Sequence, residues 1–205
     1  MPLLYHSPHL NPRLCVATAR HLNAPVRYQA AAPLDPAESP AFTRLNPNLR
    51  VPVLARDDGS TLWETDAIAC ELARLAQRPD FFPEGALLPE LLRWLSWTAM
   101  HWGHAGSGLY YQRLLVPRYG LPPLADAVMA QHESEFNRLA AILDAHLASQ
   151  RWMLGDTLSY ADFRTAALLP FGPAIQLDLS AYPAIRRWAA QLDELPAWRD
   201  PFAGL

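Results

Sequence analysis

Asn46-Pro47-Asn48-Leu49-Arg50-Val51-Pro52-Val53-Leu54 is the stretch that decides how this chain folds. Val51 to Leu54 reads as a short strand with a proline at its start. Proline brings no N–H to a sheet ladder, so it is confined to an edge, a bulge or the first residue of a strand. Two conformations satisfy that limit. One is a trans proline opening an edge strand; the other is a cis Val51–Pro52 bond that turns the chain and exposes the backbone of Val51. Cis bonds are only about 5–6% of X-Pro bonds, so these residues alone favour the trans form.

C-terminal to this stretch, Ser60-Thr61-Leu62-Trp63 faces it across the turn Arg56-Asp57-Asp58-Gly59, the pattern of a hairpin. The spacing then predicts a helix over Asp66–Gln77, with Ile68, Leu72 and Leu75 on one stripe. Thr65 is a natural N-cap, and a helix start attracts an anion, while Glu64 beside it suits an ammonium. Together they match an amino-acid end group such as a γ-glutamyl head; a capped helix with no ligand accounts for them equally well.

N-terminal to it, Leu3-Leu4-Tyr5-His6 is a brief apolar strand, followed by the turn-rich Ser7-Pro8-His9-Leu10-Asn11-Pro12. Arg13 to Leu22 fits a helix, with Asn11 as N-cap, Pro12 at the first helical position and Asn23 closing the end. Val26 to Gln29 alternates like a half-buried strand. Residues 30–48 are proline-rich and read as loop with one short helix at most.

After residue 80 the texture changes. From about residue 87 the chain looks helical, with breaks at Pro117, at Pro122-Pro123 and around Gly155. Val128, His132, Phe136, Leu139, Leu143 and Leu147 recur at three- and four-residue steps, a stripe made for a helical bundle. Gly155 to Phe163 carries capping-box spacing at Ser159 and Asp162, a structural signal with no chemistry in it. The expected organisation is an α/β domain over 1–80, a linker over 81–86 and an all-α domain over 87–205.

The chain has 205 residues, 51% hydrophobic and 18% charged, with 17 basic and 20 acidic residues and a net charge of −3. That is too apolar for disorder and too evenly charged for a basic nucleic-acid face. No apolar run approaches the ~20 residues of a membrane span, and Met1 to His6 lacks a signal peptide's basic start, so a cytoplasmic protein is expected. Cys15 and Cys70 form neither a disulfide framework nor a metal cluster. His101 and His104 stand at i, i+3 with no third ligand in view, so no metal is expected. Every basic residue is an arginine, which excludes Schiff-base chemistry and makes each cationic contact a guanidinium fork.

Taken in order, these motifs resemble the glutathione S-transferase superfamily nearly end to end. Leu4-Tyr5-His6-Ser7-Pro8 is similar to its first strand, and residues 46–54 to its Asn-Pro-x-Gly-Lys-Val-Pro-x-Leu segment. Trp63 to Ile68 resembles its Glu-Ser-x-Ala-Ile segment, and Gly155 to Asp162 its second-domain capping motif. Tyr182 to Trp188, followed by Leu195-Pro196-Ala197-Trp198, resembles its C-terminal helix.

The resemblance implies a thioredoxin-like N-terminal domain, an all-helical C-terminal domain and a homodimer. It implies a cis Val51–Pro52 bond, with the Val51 backbone pairing with the cysteinyl part of glutathione. Glu64 and Thr65 would hold the γ-glutamyl end, and Arg50, at the family's lysine position, the glycine end. The implied activity is conjugation of the glutathione thiol, as co-substrate, to a small hydrophobic electrophile. Alternatives within the resemblance are a glutathione-dependent isomerase, lyase or peroxide/disulfide reductase, and a non-catalytic binding protein of the same fold.

The sequence departs from the family at three points. The usual Ser or Cys slot falls on Pro12, which donates nothing, leaving Asn11 as the thiolate's donor, with Ser7 and His9 as runners-up. Leu49 replaces a glycine, which would reshape the loop carrying Arg50. Leu14 replaces a common lysine at a position that usually points outward. The second substrate would meet the aromatic start of the helical half, where Trp97, His101, Trp102, Tyr110 and Tyr111 stand.

Overall fold

In the computed structural model, which describes residues 1–205, the chain divides into two compact units. The first is Met1–Phe82 together with Asp193–Leu205; the second is Pro83–Leu192. The C-terminal segment, expected in the helical domain, therefore belongs to the N-terminal unit.

The first unit is built on strands β1 (Leu3–His6), β2 (Arg27–Ala30), β3 (Val53–Ala55) and β4 (Thr61–Trp63), in the order β2-β1-β3-β4. β1 and β2 are parallel, as a strand–helix–strand crossover requires, whereas β3 runs antiparallel to both β1 and β4. β2 lies at the edge and is mostly exposed, so its alternation does not mark a half-buried strand. The crossover helix α1 (Leu10–His21) ends in a Schellman pair: Ala24 N–H donates to Ala19 C=O at 2.8 Å and Asn23 N–H to Arg20 C=O at 3.2 Å. Asn23 sits there at φ +51°, a left-handed position that asparagine tolerates. A four-residue α2 (Ser39–Phe42) is the one helix in the proline-rich segment, and α3 (Thr65–Leu75) buries Ile68 and Leu72 completely.

Every residue of α1 from Pro12 to Ala19 is buried. A surface helix shows one dry stripe, and one that is dry all round must be covered on its outer side as well. β1 and α3 cover α1 on the sheet side, and the short C-terminal helix α10 (Pro196–Arg199) packs on it too. Leu14, expected to point outward, is only 1% exposed for this reason.

The second unit starts with a continuous helical run: α4 (Leu88–Trp97), a π-turn at Thr98–Trp102, α5 (Gly103–Tyr110), a second π-turn at Tyr111–Leu115 and α6 (Val116–Tyr119). Pro117 does not break it. A proline inside an α-helix clashes with the carbonyl four residues back, and the widened turn just before Pro117 takes up that conflict. The run ends at Gly120, which supplies the left-handed φ of +62°.

α7 (Asp126–Ala148) follows, burying Phe136, Leu139, Leu143 and Leu147. The stripe's first residue, Val128, is instead 41% exposed. Gly108 of α5 lets α7 approach closely, since a methyl group there would come within 2.3 Å of the His132 ring. α8 (Tyr160–Thr165) begins at Ser159 with the capping box formed, and α9 (Pro183–Asp193) completes the unit.

Asp162, fully buried, accepts from the Met153 amide, the Ser159 amide and hydroxyl and the Trp188 indole, at 2.8–3.0 Å. Burial pushes its carboxyl up to about 6 against these four donors, all of which favour the anion. No helix is long and apolar enough to cross a membrane.

His6 is 7% exposed, lies between Tyr28 and Phe202, and its Nδ1 has no hydrogen-bond partner. Burial lowers its pKa; burial and Arg78 lower that of His21, opposed by Asp80. Unfolded, both would protonate near 6.5, before the folded forms do, so stability conferred above that pH is lost as pH falls below it. Asp162, its carboxyl raised to about 6, acts in the opposite sense over the same range, so the His6 share is read from the difference between the parent and His6→Phe. Urea midpoints should fall less from pH 7.5 to 5.5, or rise more, in His6→Phe, which forfeits no hydrogen bond at Nδ1.

Candidate functional site

Strand register brings the site together. Tyr5 pairs with Val53, and Val53 with Trp63, so the end of β1, the start of β3 and the end of β4 share one edge of the sheet. Ser7 follows β1 there, Val51 and Pro52 precede β3, and Glu64 and Thr65 follow β4. α1 and α3 both leave the sheet from this edge, so their positive ends face the same region. The buried Cys15 thiol, in the second turn of α1, lies 3.8 Å from the carbonyl of Thr65, the first residue of α3.

The Val51–Pro52 bond is cis, resolving the two readings of this stretch. The ladder begins at Val53, so the peptide groups of Val51 lie beyond the paired register. Asn46, 2% exposed, organises the approach. Its Nδ2 donates to the Arg50 carbonyl at 2.8 Å, and its Oδ1 accepts the Asn48 amide at 3.0 Å and the Asn48 side chain at 3.1 Å. Leu49 occupies the left-handed region at φ +51°, where glycine fits without cost. The loop thus keeps the backbone shape of a glycine loop while accepting a Cβ. Arg50 is exposed at its tip.

Glu64 stands at φ +74°, a conformation costing of order 1–3 kcal/mol for a non-glycine residue. It occupies the cap position of α3 with no capping side-chain bond, and Thr65, expected as the cap, is the helix's first residue, 5% exposed. At α1 the cap position belongs to His9, and Asn11, expected there, is the exposed second helical residue. The first intrahelical bond of α1 runs from the Arg13 amide to the His9 carbonyl at 2.8 Å. Pro12 brings no amide to the start of this helix. Ser7 and His9 are half-buried.

Ser7, His9, Asn11, Val51, Pro52, Glu64 and Thr65 thus gather at one sheet edge. The aromatic group of the second unit does not gather. Trp102 is a core residue, 1% exposed, its indole donating to the Thr165 carbonyl at 2.8 Å and stacked on Phe136. Tyr110 is also core, 4% exposed and edge-on to Phe171, and burial pushes its hydroxyl up to about 12. The Tyr111 hydroxyl donates to the Pro122 carbonyl, Trp97 lies half-buried parallel to Trp102, and His101 is exposed. Amphipathic spacing does not separate an aromatic that fills a core from one that lines a pocket. No group of three or more His, Cys, Asp or Glu side chains is placed to hold a metal.

Sequence reasoning missed Asn46 and Arg13. The available signal for Arg13 was a cation opening the otherwise uncharged run Leu14-Cys15-Val16-Ala17-Thr18-Ala19.

Residues 15–75 match the family described as glutathione S-transferase, N-terminal domain, and residues 112–196 the one described as glutathione S-transferase, C-terminal domain. The chain is 32% identical over 162 residues to glutathione S-transferase GstB of Escherichia coli strain K12, covering 77% of this chain and 76% of that protein. It is 26% identical over 166 residues to the disulfide-bond oxidoreductase YfcG of the same organism, covering 77% and 74%. Among solved structures, glutathione S-transferase-I bound with lactoylglutathione superposes with a TM-score of 0.87 at 24% identity, covering 98% of each chain.

Asn46→Ala removes one donor and leaves the Asn48 amide without its side-chain acceptor, a loss of about 1 kcal/mol. Denaturant unfolding should show that loss, and hydrogen exchange should show faster opening of residues 46–52 than of β1.

Proposed function

Because this chain belongs to the glutathione S-transferase superfamily, we propose that it joins the thiol of glutathione to a small apolar electrophile. The observation that carries this reading is the register that puts Val51, Glu64–Thr65 and the start of α1 at one sheet edge. The Val51 peptide, lying beyond the ladder, pairs with the cysteinyl backbone of the tripeptide. Glu64 takes the α-ammonium, and the first turn of α3 takes the neighbouring carboxylate. Arg50, at the exposed loop tip, grips the glycine carboxylate with a two-bond fork.

A free thiol near pKa 8.5 is a few per cent ionised at pH 7, and lowering that value by two units requires about 2.7 kcal/mol in favour of the anion. The positive end of α1 and the Asn11 carboxamide are the groups placed to supply it. Asn11 accepts no proton, so the thiol proton leaves to water. The thiolate sulfur then forms a bond to the electrophilic carbon, whose leaving group departs with its electron pair. Ser7 and His9 stand at the same edge as alternative donors.

Kinship with a disulfide-bond oxidoreductase favours a second reading, in which the same thiolate attacks a disulfide. Product analysis separates the two: conjugation consumes one glutathione per product, whereas disulfide reduction yields oxidised glutathione. A protein that binds glutathione and turns over neither class of substrate would be a binding protein of this fold. We further propose a cytoplasmic homodimer. Leu92 and Met100, 49% and 70% exposed and eight residues apart along one helical run, suit such contacts, and light scattering would read twice the chain's 22.9 kDa.

Calorimetry should show glutathione binding at millimolar concentration or below; no binding would sink the reading. Asn11→Ala should leave that affinity nearly unchanged and cut turnover near neutral pH about tenfold, the cost of one hydrogen bond to an anion.

A further inference from the structure

The first unit holds a contact that the proposed reaction does not use. Arg13, in the first turn of α1 and two residues beyond Asn11, is 7% exposed. Its guanidinium donates to the Trp198 carbonyl and lies 5.1 Å from the centre of the Trp198 ring. Burial pushes its pKa down to about 10, held up by the carboxylates of Asp193 and Asp200, so it stays charged at neutral pH. Arg20, seven residues or about 10 Å further along the helix, donates to the Ala203 carbonyl at 2.6 Å. Between these anchors Phe202 lies on His6, the residue that ends β1 and leads into the site loop, with ring centres 5.4 Å apart.

The C-terminal segment is therefore fastened at both ends of α1 and at the end of β1. A buried cation aimed at a backbone carbonyl is a costly way to pack a helix, and an aliphatic side chain would fill that space with no charge to desolvate. A guanidinium instead sets distance and direction, because its donors form a rigid fork. Position matters most at this end of α1, since the field of a helix terminus fades within its first turn.

We propose that residues 196–205 form a strap that fixes the first turn of α1, with Arg13 as its positioning residue, and that stabilisation of the bound glutathione thiolate depends on it. The proposal rests on the glutathione reading for its ligand, though the strap's mechanical role stands without it. Loosening the strap lets α1's first turn drift from the sulfur while Val51, Glu64 and Thr65 keep their hold on the rest of the tripeptide. The thiol's pKa rises, and affinity for a ligand without an ionisable thiol does not change.

The test compares the full-length protein with Arg13→Met, which keeps the apolar stem, and Arg13→Lys, which keeps one charged donor. Turnover is measured from pH 6 to 9 beside calorimetric titration with S-methylglutathione. Arg13→Met should lower turnover about five- to tenfold at pH 6.5, with the gap closing towards pH 9, because one unit of thiol pKa is a tenfold change in thiolate. S-methylglutathione affinity should stay within twofold, and Arg13→Lys should recover part of the low-pH loss. Hydrogen exchange of the amides from Arg13 to Ala17 should quicken in Arg13→Met. An unchanged pH profile with unchanged exchange overturns the proposal, as does an equal loss at every pH.

Should Arg13→Met fail to fold, Phe202→Ala thins the strap without touching α1 and must shift the profile in the same direction. Failure of the unmodified protein to bind glutathione or S-methylglutathione would refute the site itself. The exchange measurement would still decide whether the strap holds α1.

Discussion

A helix that is dry on every side has to be enclosed by something other than the sheet it packs on. α1 meets β1 and α3 on one side and α10 on another. That enclosure explains a leucine at position 14, the uncharged run behind Arg13 and the placing of the last residues of the chain with the first unit. The two arginines that fasten the outer cover are satisfied by backbone carbonyls, so the fastening depends on the path of the C-terminal segment more than on its side chains.

The sheet does the remaining work by register. Antiparallel pairing of β3 with both neighbours puts two strand ends, one strand start and two helix N-termini at a single edge. Two of the chain's five non-glycine residues at positive φ flank β3 and β4. Leu49 and Glu64 both have positive φ, in loops bounded by the Asn46 side-chain hydrogen bonds or by a helix start. Such cost persists where the surroundings over-determine the backbone, and it marks a place where chain direction matters more than local comfort. The second unit concentrates its strict requirements elsewhere, at Asp162, whose four donors tie the start of α8 to Trp188 of α9 and to the Met153 loop.

What could be read in the sequence followed physical range. The strands, the hairpin, α3, α7 and the Ser159 capping box are written in local spacing and turn chemistry, and the structure contains them. The cis form of Val51–Pro52 was not decided by its own residues; it became the expectation only with the other family-like segments in order around it. Cap positions slipped, from Asn11 to His9 and from Thr65 to Glu64, because helix starts are set by where the preceding strand releases the chain. The break expected at Pro117 did not occur, since a π-turn is invisible in a hydrophobic pattern. Trp102 and Tyr110 moved into the core because spacing gives a face but not what covers it. Arg13 and its partner Trp198 are 185 residues apart, beyond any periodicity.

Pro12 gives the site its particular chemistry. At this position the helix has neither a side-chain donor nor a backbone amide, so the first turn loses two means of meeting an anion. The amides of Leu10 and Asn11, the Asn11 carboxamide and the helix field remain, and none of them titrates in the physiological range. The effect of a helix terminus fades within its first turn, so it depends on how firmly that turn is held in place. That is the physical reason for a strap on α1 to matter in this chain, where a hydroxyl in Pro12's place would bring a donor of its own.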